Sequence, residues 1–310
     1  KDEILENISL GATIGVSQAK DNFKLVRATA ENILVPGLFS IDNFSNKNVS
    51  TDIAETKSNS LFGSLTLGYK NFAFLEVTGR NDWSSTLPID NASFFYPSFG
   101  GSFVVTDAFD VQSDILSYLK LRASYAKVGN ATEPYRLRNT YNISSNTYNG
   151  QSFFFFGGNV PNAEEGAAPG INLSNPDLEA ELSSTYEFGM DIKLFNNRVG
   201  IDATYYKNET ENQILSLTLP PSYGAESRVI NAGLISNSGL EIAINATPVE
   251  TADFSWNSTV NFSNNNSEVE RLAAGVRTQV LARQFNDVVQ LVATEGRPYG
   301  DLIGSTYERD

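Results

Sequence analysis

The sequence predicts an all-β chain that forms part of an antiparallel up-and-down transmembrane β-barrel. Apolar and polar side chains alternate along segments of about ten residues, short and long connections alternate between those segments, and aromatic residues gather near segment ends. No apolar run approaches the roughly 18 residues that a membrane-spanning helix needs. This hydropathy criterion does not detect a transmembrane β-barrel, because the apolar residues of its strands occupy only alternate positions.

About nine segments show the alternation. In one of them Leu119 and Leu121 point to one face while Lys120 and Arg122 point to the other, which predicts a lipid-facing side and a polar lumen side. The nine segments lie near residues 8–16, 61–69, 73–82, 95–105, 119–125, 186–194, 199–205, 240–246 and 254–262. Two other spans, 111–118 and 267–284, are interpreted as candidate helices, and the second carries Val269, Leu272 and Val276 at helical spacing.

The connections between these segments alternate in length. The predicted short ones are 69–71, 106–114, 194–198 and 247–253, and the predicted long ones are 23–60, 84–93, 130–182, 208–231 and 264–299. In an up-and-down sheet this puts all short turns at one end and all long loops at the other. A soluble β-sandwich gives no reason for this asymmetry, whereas outer-membrane barrels have short periplasmic turns and long extracellular loops.

Aromatic residues lie next to many of these turns and loops. Such positions suit the two aromatic girdles of a membrane barrel, although ordinary sheet-end aromatics are the alternative explanation. The residues concerned are Tyr69, Phe72, Phe94, Phe95, Tyr96, Tyr205, Tyr206, Phe254 and Trp256.

Composition excludes several kinds of chemistry. The chain has no Cys and no His, which removes thiol nucleophiles, disulfides, imidazole bases and the usual zinc ligands. Its net charge of -14 disfavours binding to nucleic acid. The Asp- and Asn-rich stretches lack the spacing of a calcium loop, and no pair of carboxylates is held in position for hydrolysis. We therefore expect no catalytic residues, no metal site and no cofactor.

A set of motifs carries a family resemblance. It begins with Thr-Gly-Arg-Asn-Asp-Trp-Ser-Ser at 78–85 and Phe-Tyr-Pro-Ser at 95–98, and continues with Leu-Lys-Leu-Arg-Ala-Ser-Tyr-Ala-Lys-Val-Gly-Asn at 119–130. Further along come Asn-Pro-Asp-Leu at 175–178, Tyr-Tyr-Lys-Asn-Glu-Thr at 205–210, Ser-Asn-Ser-Gly-Leu-Glu at 236–241 and Gly-Arg-Pro-Tyr-Gly at 296–300. In this order the set resembles the C-terminal part of the barrel of a SusC/RagA-type TonB-dependent outer-membrane transporter.

The resemblance implies an architecture larger than this chain. It implies a barrel of about 22 strands with an N-terminal plug domain and a TonB box, in the outer membrane of a Gram-negative bacterium. Neither the plug nor the TonB box is recognisable in the sequence, so residues 1–310 are expected to form only part of the barrel.

The resemblance also implies a function. It implies active uptake of oligosaccharides, less often peptides, together with a SusD-like surface lipoprotein as a lid and with energy from the TonB complex. A passive porin and a secreted all-β glycan-binding or adhesion protein are the alternatives.

Candidate functional residues lie on the lumen face and in the loops. Arg80 and Asp82 are expected near the extracellular end of their strand, where they could contact substrate. All inward charges are first interpreted as a structural lattice of ion pairs, with a polar path for a hydrated substrate as the alternative. Besides Arg80 and Asp82 they are Glu76, Lys120, Arg122, Glu187, Asp191, Lys193, Asp202 and Glu241. In the longest loop, Tyr135, Tyr141 and Tyr148 are candidate substrate contacts. The run Phe153, Phe154, Phe155 and Phe156 is a candidate partner contact, with a substrate platform as second interpretation, because exposed consecutive Phe residues need cover.

Overall fold

A computed structural model describes residues 2–5, 7–137, 143–148, 151–156, 172–219, 225, 227–284 and 288–304. Nearly all regular structure in these residues is β-strand. The strands are β1 (Asp2–Leu5), β2 (Ile8–Ile33), β3 (Phe44–Tyr69), β4 (Ala73–Ser84), β5 (Ser93–Val104), β6 (Leu116–Asn130), β7 (Ile143–Tyr148), β8 (Gln151–Phe156), β9 (Asn172–Leu173), β10 (Glu181–Leu194), β11 (Val199–Glu211), β12 (Ile214–Thr218), β13 (Ser227–Asn231), β14 (Leu234–Glu250), β15 (Ser255–Arg271), β16 (Thr278–Gln284), β17 (Val289–Thr294) and β18 (Asp301–Gly304). One short helix, α1 (Val105–Ala108), and two 3-10 turns, Ile41–Asn43 and Ile89–Asn91, complete the regular structure of the described residues.

Within the described residues, ten strands form one antiparallel sheet in the order β1-β2-β3-β4-β5-β6-β10-β11-β14-β15. Strands that follow each other along the sheet also follow each other in the chain, apart from excursions after β6 and β11. All of them except β1 are at least 12 residues long. These nine long strands confirm the predicted all-β, up-and-down fold.

One face of the sheet is apolar and exposed. Leu75, Leu121, Phe188 and Val260 expose 46%, 45%, 58% and 60% of their surface, although each lies inside a long strand. Polar side chains alternate with them and occupy the opposite face. A continuous exposed apolar face is unfavourable in water. It is the expected outer surface of a membrane barrel, where it contacts the hydrocarbon of the bilayer.

Short connections join the strands at one end of the sheet; they are residues 70–72, 105–115, 195–198 and 251–254. Lys70 and Asn71 have φ angles of 47° and 64°, the two positive values that a hairpin turn of type I′ requires. Aromatic rings line this short-turn end in edge-to-face contacts, with centroids 5.4 Å apart for Tyr69 and Phe72 and 5.6 Å for Phe72 and Phe103. Part of the predicted girdle therefore exists here as packed rings. Phe94, Tyr96 and Tyr206 do not belong to it, because they are paired with charged residues of the polar face.

The long connections carry structure of their own at the opposite, long-loop end. β12 pairs with β13, which pairs in parallel with β9, and β16, β17 and β18 form a separate antiparallel sheet. Small apolar cores support both groups. Leu178 is fully buried beside Leu87 and Val229, and Val269 is fully buried beside Leu272 and Ala293. The long-loop end is thus partly a folded cap.

The two predicted helices are wrong. Residues 111–115 form a loop that leads into β6, and residues 267–284 form the end of β15, a bend and β16. Val269 and Leu272 are spaced as in a helix, but they are apolar because both belong to a buried cluster with Ala293 of β17. Gly275 interrupts the span with a φ angle of 83°. Within the described residues no helix is both long enough and apolar enough to cross a membrane.

The predicted long loop at 23–60 is also wrong. β2 and β3 each run for 26 residues and pair along almost their whole length, so that the actual connection is residues 34–43. A strand of 26 residues spans about 85 Å, far more than the hydrocarbon core of about 30 Å. The distal part of this hairpin therefore extends well beyond the sheet. Its end is fixed by Asn43, whose buried amide donates to the carbonyl oxygens of Val35 and Leu38, both at 2.7 Å.

Candidate functional site

The polar face of the sheet brings Arg80 and Asp82 together near the long-loop end. Both lie on β4, two residues apart and therefore on the same face. The Nε of Arg80 donates to Oδ1 of Asp82 over 2.8 Å, and its Nη2 donates to Oγ of Ser60 over 2.7 Å. The side chain of Asp82 is only 17% exposed, whereas that of Arg80 is 37% exposed. The guanidinium is therefore held in place while part of it stays accessible.

Neighbouring strands complete this group, which we call the mouth cluster: Ser60, Phe62, Arg80, Asp82 and Tyr96. The hydroxyl of Tyr96 on β5 donates to Oδ2 of Asp82 over 2.6 Å, and the ring of Phe62 lies 5.5 Å from the Arg80 guanidinium. Asp82 thus accepts from two strands at once. The cluster presents a positioned cation, a phenol and an aromatic face, which are groups that recognise polar ligands.

A second lumen group links three strands. Arg122 of β6 donates to both carboxylate oxygens of Asp202 on β11, at 3.1 and 2.5 Å, and to Oγ1 of Thr204 at 2.7 Å. β10 lies between these strands, and Gly189 is the residue of β10 that is paired with Arg122. A Cβ at Gly189 would lie 2.2 Å from Nε of Arg122. The glycine therefore makes the room that lets Arg122 reach Asp202.

Several other lumen charges line shallow recesses in the same face. One recess of about 230 Å³ is lined by Thr66, Glu76, Ser102, Arg122 and Glu187. Ser124 donates to Glu187 over 3.4 Å. The predicted lattice interpretation fits Arg122 and Asp202, which the structure pairs directly.

The loop candidates have different outcomes. Tyr135 is 61% exposed, and its hydroxyl accepts a 3.2 Å hydrogen bond from the backbone N–H of Glu55 on β3. It therefore braces the long hairpin and keeps most of its ring accessible. Tyr141 lies outside the described residues. Their roles in substrate binding stay predictions.

The other loop candidates lie on a small hairpin formed by β7 and β8. Tyr148 is paired with Gln151, and most of β8 consists of Phe153, Phe154, Phe155 and Phe156. The Phe run is therefore part of a strand pair and not of an irregular loop. Its role as a partner contact stays a prediction.

Sequence reasoning missed Ser60, Phe62 and Tyr96 as partners of the predicted pair. They come from strands whose register is set by the pairing of whole strands, so no local pattern connects them with Arg80. Gly189 was a usable signal, because a glycine inside a strand often marks a close approach of another group. Among the described residues, no group of three or more carboxylates converges in a way that could hold a metal ion.

A family profile described as TonB dependent receptor-like, beta-barrel, matches residues 9–302. The chain belongs to this family. The short-turn end of its sheet is accordingly periplasmic, the long-loop end is extracellular, and the exposed apolar face meets lipid in the outer membrane of a Gram-negative bacterium. The SusC/RagA-type resemblance is confirmed by the relatives that follow.

The TonB-dependent receptor P26 of Formosa agariphila is 31% identical over 279 residues, which cover 87% of this chain and 27% of that protein. The TonB-dependent receptor SusC of Bacteroides thetaiotaomicron is 28% identical over 222 residues, covering 70% of this chain and 21% of that protein. The solved structure of the RagAB peptide transporter superposes with a TM-score of 0.77 at 22% identity, over 96% of this chain and 31% of that one. The chain thus spans about a quarter of the length of these curated relatives.

Proposed function

We propose that the protein containing this chain is an outer-membrane active importer, in which residues 1–310 supply part of the barrel wall and of its extracellular loops. The observation that carries the proposal is the membership of residues 9–302 in the TonB-dependent receptor barrel family. The mouth cluster supports it, because its charges are fixed by hydrogen bonds before any ligand arrives. Such preorganised groups bind polar ligands without a further ordering cost.

Oligosaccharides are the substrate class that we propose first. Arg80 and Tyr96 offer hydrogen-bonding groups for sugar hydroxyls, and Phe62 offers an aromatic face for a sugar ring. Peptides are the second candidate, favoured by the structural similarity to a complex that is named a peptide transporter. Tyr135, Tyr141 and Tyr148 are proposed as further contacts in the extracellular loops.

We propose two partners for this importer. A SusD-like surface lipoprotein would act as a lid on the extracellular side, and the TonB complex would supply energy through a plug domain and TonB box outside this chain. Relatives named TonB-dependent receptors support the second partner, and the similarity to SusC supports the first. A passive porin would need neither partner, and a secreted adhesion protein would need no membrane.

The experiment compares uptake in the native bacterium with and without the gene. Cells lacking it should fail to grow on one defined oligosaccharide or peptide as sole carbon source, and cells lacking TonB should fail on the same compound. Growth that is lost with the gene but kept without TonB would identify a passive porin. A protein recovered from the medium without detergent would identify an adhesion protein.

The proposed contacts are tested in the same assay. Arg80→Gln should lower uptake at limiting substrate about tenfold, since a hydrogen bond to a charged group contributes about 1.5–3 kcal/mol. Lys70→Gln at the periplasmic turn is the matched control, because it removes one cation far from the mouth cluster. Equal uptake by both variants would assign Arg80 to the structural lattice alone.

A further inference from the structure

A recess of about 540 Å³ lies at the extracellular end, outside the mouth cluster. The segments that enclose it are the end of β15, the bend before β16, and the residues that flank β12 to β14. The lining residues used below are Asn212, Gly233, Arg271, Arg277 and Glu295. Its size lies within the range of ordinary small-molecule sites.

Two arginines are among the residues that line this recess. Arg271 ends β15, and Arg277 immediately precedes β16. Within the described part of the chain, neither makes an ion pair within 4.0 Å. Glu295 is the one carboxylate in the described lining, and its Oε1 accepts the backbone N–H of Leu272 over 2.9 Å. The described lining therefore carries two arginines and one carboxylate, in a chain whose net charge is -14.

The walls of the recess are fixed by packing and hydrogen bonds. Val269 and Ala293 are fully buried beneath it. The backbone N–H of Glu295 donates to the carbonyl oxygen of Arg277 over 3.1 Å, which ties the bend to the end of β17. On the other wall the amide of Asn212 donates to Oε2 of Glu179 over 3.1 Å. The site is therefore formed before a ligand binds.

Small residues line part of this recess and leave open space beside them. Gly275 has a φ angle of 83°, and a Cβ built there would meet nothing within 4 Å. Gly233 has a φ angle of 101° at the facing wall. Ala232, Ala273 and Ala274 are the small residues that flank these glycines in the lining. Small residues beside two arginines in the lining leave space for a planar or ring-shaped anionic group.

We propose that this arginine recess binds a carboxylate group of an incoming ligand. A guanidinium presents its N–H groups in a planar fork that matches the two oxygens of a carboxylate, and such charge-assisted pairs are stronger than neutral hydrogen bonds. A uronate unit of an acidic oligosaccharide and an acidic side chain of a peptide both offer this chemistry. The inference rests on the proposed function, because the carboxylate is taken to belong to a substrate that the extracellular loops capture.

The test measures binding to the full-length protein purified from outer membranes in detergent. The probes are tetragalacturonate and tetraglutamate, each compared with its neutral counterpart, tetragalactose or tetraglutamine. The protein should bind at least one acidic probe about tenfold more tightly than its neutral counterpart, and the preference should weaken with added salt. Which acidic probe is preferred identifies the source of the carboxylate.

Variants assign the preference to this recess. The double variant Arg271→Gln/Arg277→Gln should lose the preference for the acidic probe, whereas Arg228→Gln on β13, outside the recess lining, should keep it. Heat-modifiable migration on gels verifies that each variant is folded. Equal binding of acidic and neutral probes, or a preference that survives in the folded double variant, would overturn the proposal. Binding requires neither TonB nor a lid, so a failure of uptake alone would contradict the importer and leave the arginine recess standing.

Discussion

At the scale of single residues, glycines decide which lumen side chains can meet. Arg122 passes over Gly189 to reach Asp202, and Tyr206 passes over Gly239 to donate to Oδ1 of Asn265 over 3.0 Å. In both cases the glycine is paired with the long residue, and the target lies on the strand beyond. Contacts of this kind connect strands that share no backbone hydrogen bonds.

Gly189→Ala tests this arrangement. The new Cβ would overlap with Arg122, so we expect loss of its contact with Asp202 and a destabilisation of about 1–3 kcal/mol. The temperature at which heat-modifiable migration is lost should fall. Gly100→Ala is the matched control, because it lies in β5 and a Cβ there meets nothing within 4 Å. Equal temperatures for the two variants would contradict the role of Gly189.

At the scale of strands, the side on which a residue lies decides its solvent. Leu121 is 45% exposed on the apolar face, and Ile242 lies on the same face of β14. On both strands, the polar residues that alternate with the apolar ones point to the lumen. The strand is therefore a two-sided element whose faces tolerate different substitutions.

Leu121→Arg and Ile242→Arg should each disrupt assembly. A charge on the lipid face at mid-bilayer costs about 2–4 kcal/mol, which heat-modifiable migration would report as a loss of the folded band. Asn261→Arg is the control, since Asn261 is an exposed lumen-side residue paired with Ala243. If both apolar-face variants assemble as well as the control, the assignment of faces is wrong.

The distal part of the β2–β3 hairpin is a separate element. This part, residues 21–56, consists of two strand segments that pair with each other. Tyr135 contacts it from outside through a hydrogen bond with the backbone of Glu55. Replacing residues 21–56 by an Asn-Gly turn should leave barrel assembly unchanged, because the pairing of β3 with β4 begins at Ser58. Folded-band yield in outer membranes is the measurement. A large loss of yield would show that the distal hairpin contributes to assembly.

At the scale of the whole molecule, the extracellular end is a folded cap on a membrane-spanning wall. Burial raises the pKa of Tyr299, and the nearby carboxylate of Glu181 acts in the same direction. This links the segment after β17 to the start of β10. The cap and the long hairpin are therefore parts of the extracellular surface of this chain.

Replacing Phe153–Phe156 by four Ser residues tests the proposed partner contact. Co-purification of the SusD-like lipoprotein should weaken while the barrel stays folded, because aromatic side chains dominate the affinity of protein interfaces. Phe109→Ser is the control, since Phe109 is 70% exposed at the periplasmic end. Unchanged co-purification would leave packing or substrate contact as the role of the Phe run.

Much of the fold could be predicted because the signal is local. Alternation such as that of Leu119–Arg122 depends only on neighbouring residues. The same pattern in nine segments correctly predicted nine strands. The long hairpin was missed because both faces of its distal strands mix polar and apolar residues, so that period two does not show. At the candidate site, Arg80 and Asp82 were found because they share a strand, and Tyr96 was missed because it belongs to another.

The sequence by itself determined the class of the fold, its two faces, the positions of its short connections and its family. These properties follow from side-chain period and from motifs that each lie within one strand. Only the tertiary structure decided that the hairpin is long, that the loops fold into a cap, and which charges meet. The reason is that strand register and the packing of distant loops join residues far apart in the chain, as when Arg122 reaches Asp202 across β10.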